Sequence, residues 1–528
     1  MARSYRKAVG AVAAAVAIAA GGAGAPGARA GAGFRTRQSS MLTAVASGVY
    51  ITPLVTVGDR VGAYTFESIP DGIAVRKLPN GNAQVFVTHE TSRVPFPYVP
   101  ASPSMTNSFN DYDNAQLSEL EINPRALTVE QGTIAIPSSA NFQRFCSTFI
   151  ADERHGFSRP ILFAPEEATD VVNRTGNAFP AERNGGEQAG VVVAYDINAK
   201  TYKTIYTMGR FNHENQVALP GFSTPTMISG DDTFSAPASQ LYMYTSKNTD
   251  ALMNDDGQLW AFVSADPAVN DYGDLTMSSS AAGRFIPVPR TVAVGDQTGL
   301  ENWSNQNNVF QFIRVEDIVP SSDEAGVFYF ADTGEPRAVP DPATGRLRRG
   351  PTGIGPYPNG RVFRMQIDPR DPTVVLRLTI LVDGDSLGAA SAKVPALIHN
   401  PDNVEVTSTG LLIGEDPGSQ NSYAADEPAA TNARIWHYDF RTGSLSIIAR
   451  VDQFADRSAR YGSWESSGIV DASEVFGPGA YLVNIQAHSL FVATKPGDDV
   501  NKDGQPDWLD KKEGGQLLLM RLTSNSLR

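Results

Sequence analysis

Cysteine is nearly absent from this chain: Cys146, in the stretch "NFQRFCSTFIADERHGF", is the only one among 528 residues. One thiol forms no internal disulfide, so a chain of this length must draw its stability from a large core or from bound metal. Basic surplus is absent too. With 43 Lys and Arg against 57 Asp and Glu, the formal charge is −14, which disfavours nucleic acid and anionic membranes as partners because both require a basic footprint. No apolar run reaches the roughly 20 residues that a membrane-spanning helix needs, so no membrane span is expected. Long amphipathic helical patterns are nearly absent too. Short runs of β-branched and aromatic residues between Gly and Pro turns take their place, the mark of an all-β chain.

The first residues carry one distinct signal. Arg3, Arg6 and Lys7 precede the apolar "AVGAVAAAVAIAA" and the small-residue pattern "ARA", so residues 1–30 read as a secretory signal peptide. Residues 31–528 then form a single domain, secreted or periplasmic, for which a monomer is expected.

A unit recurs six times along that domain. Each copy opens with a polar element leading into an apolar strand: "IPDGIAV", "RFCSTFI", "FNHENQVAL", "RVEDIVP", "NPDNVEV" and "WESSGIV". Each continues into a second strand: "AQVFVTHE", "ILFAPEEA", "LYMYTSKN", "VFYFADTG", "LLIGEDP" and "AYLVNIQAH". A third strand follows each time. Six repeats of at least three strands predict one six-bladed β-propeller, all-β, with long insertions at 91–116, 168–188, 265–300 and 334–358.

Equivalent positions in the innermost strands of a propeller face one axial channel. Here those positions are Asp71, Cys146, Glu214, Glu316, Asp402 and Glu465. Five carboxylates and a thiol facing one another cannot all stay ionised unless cations neutralise them. A second layer follows at the ends of the next strands: His89 and Glu90, Glu166 and Glu167, Asp332, Glu415 and Asp416, and His488. Taken singly, each is an ordinary turn residue at a strand end, and Cys146 is an ordinary buried thiol. The recurrence of one residue class in nearly every repeat points to a metal cluster. A thiolate suits iron, copper or zinc and hard carboxylates suit calcium, magnesium or ferric iron, so the mixed set suggests iron together with calcium.

The order "RFCSTF", "LFAPEE", "GRFNHE", "FIRVEDI" with "VFYFADTG", and "NPDNVEV" with "LLIGEDP" resembles the PhoX-type alkaline phosphatases, in short islands from about residue 50 onward. The resemblance implies a six-bladed propeller that holds ferric iron and calcium at its centre and hydrolyses small-molecule phosphate monoesters. It implies metal ligands at Cys146, at Glu166 or Glu167, and at Glu214, Glu316 and Asp402, with Arg314 touching phosphate beside Glu316. The sequence departs from the family pattern in three places. "STFIADERHGFSRPILFAP" replaces the Gly- and Trp-rich run between the cysteine and the glutamates, Val315 stands where the family has proline, and the twin-arginine export signal is missing. Export unfolded, with metals gained outside, is the expectation that follows.

A separate motif, "DVNKDGQPDWLD", spans 499–510. Asp499, Asn501, Asp503, Asp507 and Asp510 fall at positions 1, 3, 5, 9 and 12 of an EF-hand-like calcium loop, with Gly504 at the turn and the Gln505 carbonyl at position 7. Two other functions fit a propeller of this composition: a calcium-dependent lactonase or phosphotriesterase-like enzyme using His89 or His488 as proton carrier, and a non-enzymatic calcium-stabilised binding propeller.

Overall fold

A computed structural model describes residues 33–92, 114–172, 186–233, 239–343, 345–350, 353–418, 430–453, 461–493 and 512–523. The expected signal segment 1–30 and the expected calcium loop 499–510 lie outside them. No helix among the described residues is long and apolar enough to cross a membrane.

The strands form six antiparallel blades. Pro70–Lys77, Ala83–His89, Gln116–Asn123 and Thr128–Ile136 make the first, in simple meander order. The second runs Phe149–Ala151, Ile161–Pro165, Val192–Asp196, Thr201–Ile205. The third begins His213–Ala218, Thr226–Asp231, Leu241–Thr245, Gln258–Ser264, the fourth is Val315–Pro320, Val327–Asp332, Arg361–Asp368, Asp371–Asp383, and the fifth is Pro401–Val406, Gly410–Glu415, Arg434–Asp439, Leu445–Val451, with the short Leu42–Ala44 added outside it. The sixth takes three strands from the end of the chain, Glu465–Asp471, Ala480–Ala493 and Lys512–Leu522, and its outermost from the beginning, Val49–Thr56. Innermost strands of successive blades touch around a closed ring, the last returning to the first. The fold is the expected six-bladed β-propeller.

Side-chain alternation along the strands explains the packing. On Ala83–His89, Val85 and Val87 belong to a buried cluster shared with the sixth blade, while Phe86 joins one shared with the second. Period-two patterning therefore feeds both neighbours at once. Six such clusters each fill one space between adjacent blades. Each fully buried side chain of this size contributes on the order of 1.5–3 kcal/mol, so the hydrophobic core is a set of wedges around the axis, and the axis itself is left to polar residues.

Two details differ from the expectation. The second strand of the third blade is Thr226–Asp231, and "LYMYTSKN" is its third, because "TPTMISGDDT" hides a buried strand among small and turn-forming residues. The insertion 265–300 also holds structure of its own. It contains Ala281–Pro287, a fifth strand that pairs with Asp371–Asp383 and fuses the third and fourth blades into one nine-stranded sheet. It continues into the helix Gln297–Gln306, whose first turn is capped by the Asp296 carboxylate accepting from Gly299 N at 2.7 Å.

Candidate metal centre

In five blades the innermost strand uses one local geometry. Pro70, Phe145, His213, Val315 and Pro401 pair with His89, Glu166, Asp231, Asp332 and Glu415, and the next residue of the inner strand is Asp71, Cys146, Glu214, Glu316 or Asp402. In the first, third, fourth and fifth blades the register slips directly afterwards. A bulge of this kind re-aims a side chain out of the ladder, here towards the axis. The carbonyl two places before the ring residue, that of Ile69, Arg144, Asn212, Arg314 or Asn400, accepts the N–H of Glu90, Glu167, Asp232, Thr333 or Asp416 at 2.9 to 3.0 Å. Ile69, Arg144 and Asn400 hold φ of 45°, 41° and 54°, a conformation costing non-glycine residues on the order of 1–3 kcal/mol and kept where surrounding structure enforces it. Close approach of the strands adds a second constraint. A methyl group at Gly72 would overlap the Ser147 and Thr148 backbone, and one at Gly468 the Asp71 carbonyl.

The ring is continuous. Among the described residues, four groups have ligand atoms within 4.8 Å of one another: Asp71, Glu90 and Cys146; Cys146, Glu167 and Glu214; Glu214, Glu316 and Asp402; Asp402, Asp416 and Glu465. Cys146, Glu214 and Asp402 each belong to two, so one residue links each group to the next. Burial, first of all, raises the carboxyl groups of Asp71, Glu167, Glu214, Glu316, Asp402 and Glu465 above their usual range, and nearby carboxylates push most of them further. Glu90 is pushed up to about 7 by burial and by Asp71, and the Cys146 thiol rises well above its ordinary value for the same reasons. The thiol donates to Asp71 Oδ2 at 2.7 Å, Ser147 Oγ to Glu214 Oε1 at 2.8 Å, and Thr333 Oγ1 to Glu316 Oε1 at 2.7 Å. Hard oxygen donors around one soft sulfur fit a mixed set of cations.

Each sequence-predicted ring residue has a place in this geometry, and those of 499–510 lie outside the described residues. Glu167 turns into the ring, whereas Glu166 turns away: its carboxylate accepts from the backbone N–H groups of Gln143, Gly190 and Val191 at 2.8, 3.0 and 3.1 Å. The same division holds elsewhere. His89 is spent on Ser68 O and Ser118 Oγ, Asp332 on the N–H groups of Ile313, Arg314 and Gly334, and Glu415 on a two-point pair with Arg434. The first residue of each pair braces its blade, and Glu90, Glu167 and Asp416, the second residues of three of them, stand in the ligand groups. Glu465 reaches its group from a different register. Gly468 follows Ser467 as Gly72 follows Asp71, so Ser467 holds the sixth ring position and donates to Asp71 Oδ1, while Glu465 sits two residues earlier. His488 lies beside it, its Nδ1 2.8 Å from Glu513 Oε2 and its Nε2 3.8 Å from Glu465 Oε1.

Arg314 is 3% exposed. Its Nε and Nη2 donate to the two oxygens of Asp232 at 2.6 Å each, and Nη2 lies 3.0 Å from Glu316 Oε1. The neighbouring carboxylate that binds this arginine is thus one that sequence reasoning missed. The doublet "DD" ending the hidden strand of the third blade was the signal available, since acidic or His–Glu doublets end the second strand in the first, second and fifth blades.

The sequence profile of the family described as alkaline phosphatase PhoX matches residues 143–470, more than half of the chain. No curated protein matches. Among solved structures, the Pseudomonas fluorescens PhoX in complex with vanadate, a transition state analogue, superposes with a TM-score of 0.56 at 14% identity, covering 92% of this chain and 97% of that one. A protein of unknown function from Dyadobacter fermentans reaches 0.41 at 10% identity, covering 90% and 100%. The PQQ-bound aldose sugar dehydrogenase of Streptomyces coelicolor reaches 0.32 at 10% identity, with the same coverage. At 14% identity the likeness to the Pseudomonas fluorescens structure is one of fold.

Proposed function

The chain belongs to the alkaline phosphatase PhoX family and is a phosphoric ester hydrolase, and from that premise we propose that it cleaves small-molecule phosphate monoesters, after export, at a cluster of ferric iron and calcium. The observation that carries this reading is the chain of four ligand groups joined through Cys146, Glu214 and Asp402, with a buried arginine against the third. Asp71, Glu90, Cys146, Glu167, Glu214, Glu316, Asp402, Asp416 and Glu465 would hold the cations. Bound there, they supply Lewis acidity toward the phosphoryl oxygens and neutralise charge that develops during transfer. Arg314 orients the phosphate, a task its planar guanidinium suits better than an ammonium. The wedges between blades keep the ring rigid, so its donors need no rearrangement as charge builds. A calcium lactonase would leave Cys146 idle, whereas this thiol stands in two of the four groups.

The test is direct. Protein purified from its native compartment should contain iron and calcium and cleave an aryl phosphate monoester. Cys146→Ser should lose iron and activity while its circular dichroism keeps the wild-type shape, because one donor of a many-donor set is removed and the fold survives. Unchanged iron content in that variant would overturn the assignment of the thiol.

Residues 499–510 are proposed as a structural calcium loop, separate from the ring. Asp499→Ala with Asp503→Ala should lower the melting temperature measured in calcium, since a ligand that binds only the folded chain stabilises it by mass action. Equal melting of the double variant and the wild type in saturating calcium would remove the site.

A further inference from the structure

The position that ends the second strand has different duties in different blades. Glu90, Glu167 and Asp416 join ligand groups there, and Thr333 donates to Glu316. Asp232, fully buried at the same position in the third blade, meets the guanidinium of the fourth with both carboxylate oxygens, Nε to Oδ1 and Nη2 to Oδ2. We propose that Asp232 is the positioning residue for phosphate recognition: it fixes the plane and direction of Arg314 and ties that side chain to the neighbouring ligand group. The inference rests on the reading of Arg314 as the phosphate contact.

Both partners are held from behind. The Asp232 N–H bonds the Asn212 carbonyl at 2.9 Å, and Asp231 next to it accepts from Thr233 Oγ1 at 2.6 Å, while Thr233 also accepts from Gln297 Nε2 at the start of the inserted helix. Ser239 joins the two blades at this point, its hydroxyl donating to the Asp231 carbonyl and accepting Val315 N–H at 3.1 Å. Arg314 N–H bonds Asp332 Oδ1 at 3.1 Å and its carbonyl accepts from Thr333 at 2.9 Å. Asp232 also lies close enough to Glu167 to help raise that carboxyl group above its usual range, so the arginine's partner sits beside the group containing Cys146. An arginine left to itself samples many rotamers. One clamped by a two-point, buried carboxylate is already oriented before substrate arrives, which is how affinity is gained without a new contact.

The experiment uses the full-length, metal-loaded protein with D232N, R314K and the double variant D232N/R314K. Asparagine keeps the shape and one acceptor but loses the charge and the forked match, and lysine keeps the buried cation. Iron and calcium content, melting temperature, KM and kcat on an aryl phosphate, and the inhibition constant of inorganic phosphate are measured for each. D232N should raise KM and the phosphate inhibition constant by roughly 10-fold or more, the scale of a lost charge-assisted contact, with metal content unchanged. In the R314K background the same substitution should add less than about twofold, because residues acting through one another are not additive. Loss of metal in D232N would make Asp232 a ligand and overturn the proposal, as would an equal cost in both backgrounds or unchanged phosphate inhibition. A metal-loaded wild type that neither binds inorganic phosphate nor cleaves the monoester would sink the phosphatase reading, and this proposal with it. An active wild type with a silent D232N would sink this proposal alone.

Discussion

Chelating the bound cations at pH 8 is expected to lower the melting temperature by roughly 10 °C, and lowering the pH of the chelated protein towards 5 should recover much of that loss. The sign follows from the ring. Burial and mutual repulsion hold its carboxyl groups above their usual range, Glu90 at about 7 against an ordinary 4.5. The folded chain therefore binds more protons than the unfolded chain between about pH 4.5 and pH 7, and higher for the groups raised further. Stability must fall as pH rises through that window. Ionising Glu90 alone costs the fold on the order of 3 kcal/mol. Bound cations replace those protons and remove the dependence. Asp317 at about 7 and Glu405 at about 8, raised chiefly by burial and outside the ligand groups, leave a smaller slope of the same sign in the loaded protein. Scanning calorimetry at pH 5, 6.5 and 8, with and without chelator, checks this. Superimposable melting curves at every pH would show that the ring binds nothing of consequence.

Glu316→Ala should reduce turnover of an aryl phosphate by roughly 1,000-fold or more, with loss of metal. The substitution takes a ligand atom from the group shared with Glu214 and Asp402 and the acceptor used by Thr333 and Arg314. Arg314→Ala should behave differently, weakening inorganic phosphate by about 1.5 to 3 kcal/mol while metal is retained. The structure adds a second cost to that variant. It leaves Asp232 and Glu316 buried without their countercharge, worth about 3 to 5 kcal/mol of stability, so its melting temperature must be measured alongside its affinity. Equal metal loss in the two variants would erase the distinction between holding substrate and holding cofactor. A fully metallated protein that cleaves lactones or phosphodiesters but no monoester would overturn the substrate assignment and leave the ring standing.

Asp71, Cys146, Glu214, Glu316 and Asp402 were legible because a propeller converts sequence repetition into angular repetition. A residue class recurring in each inner strand must meet itself at the axis. The sixth member was misplaced by two residues because charge was followed instead of backbone: in "WESSGIV" the glycine matches that of "IPDGIAV", which assigns the position to Ser467, yet Glu465 still arrives at the channel. Asp232 stayed hidden for a related reason. "TMISGDDT" carries too few large apolar residues to announce a strand, although Met227 and Ile228 are completely buried in it. The division between Glu166 and Glu167 was beyond reach of the sequence, since it depends on which carboxylate finds backbone N–H groups to accept.

The last blade borrows its outer strand, Val49–Thr56, from the opposite end of the chain, where it pairs with Lys512–Leu522. A nascent chain thus emerges with its closing piece first and must keep it unpaired until nearly the whole polypeptide has been synthesised. Contacts of such sequence separation are slow to form. Until Glu465–Asp471 has been made, the inner strands can at best form an open arc, and the carboxylates that repel one another across the channel are not yet forced together. Closing the circle is the step that confronts the folding chain with its own charge, and it also brings Glu465 into its ligand group, so the proposed cation sites are complete only when the last blade meets the first.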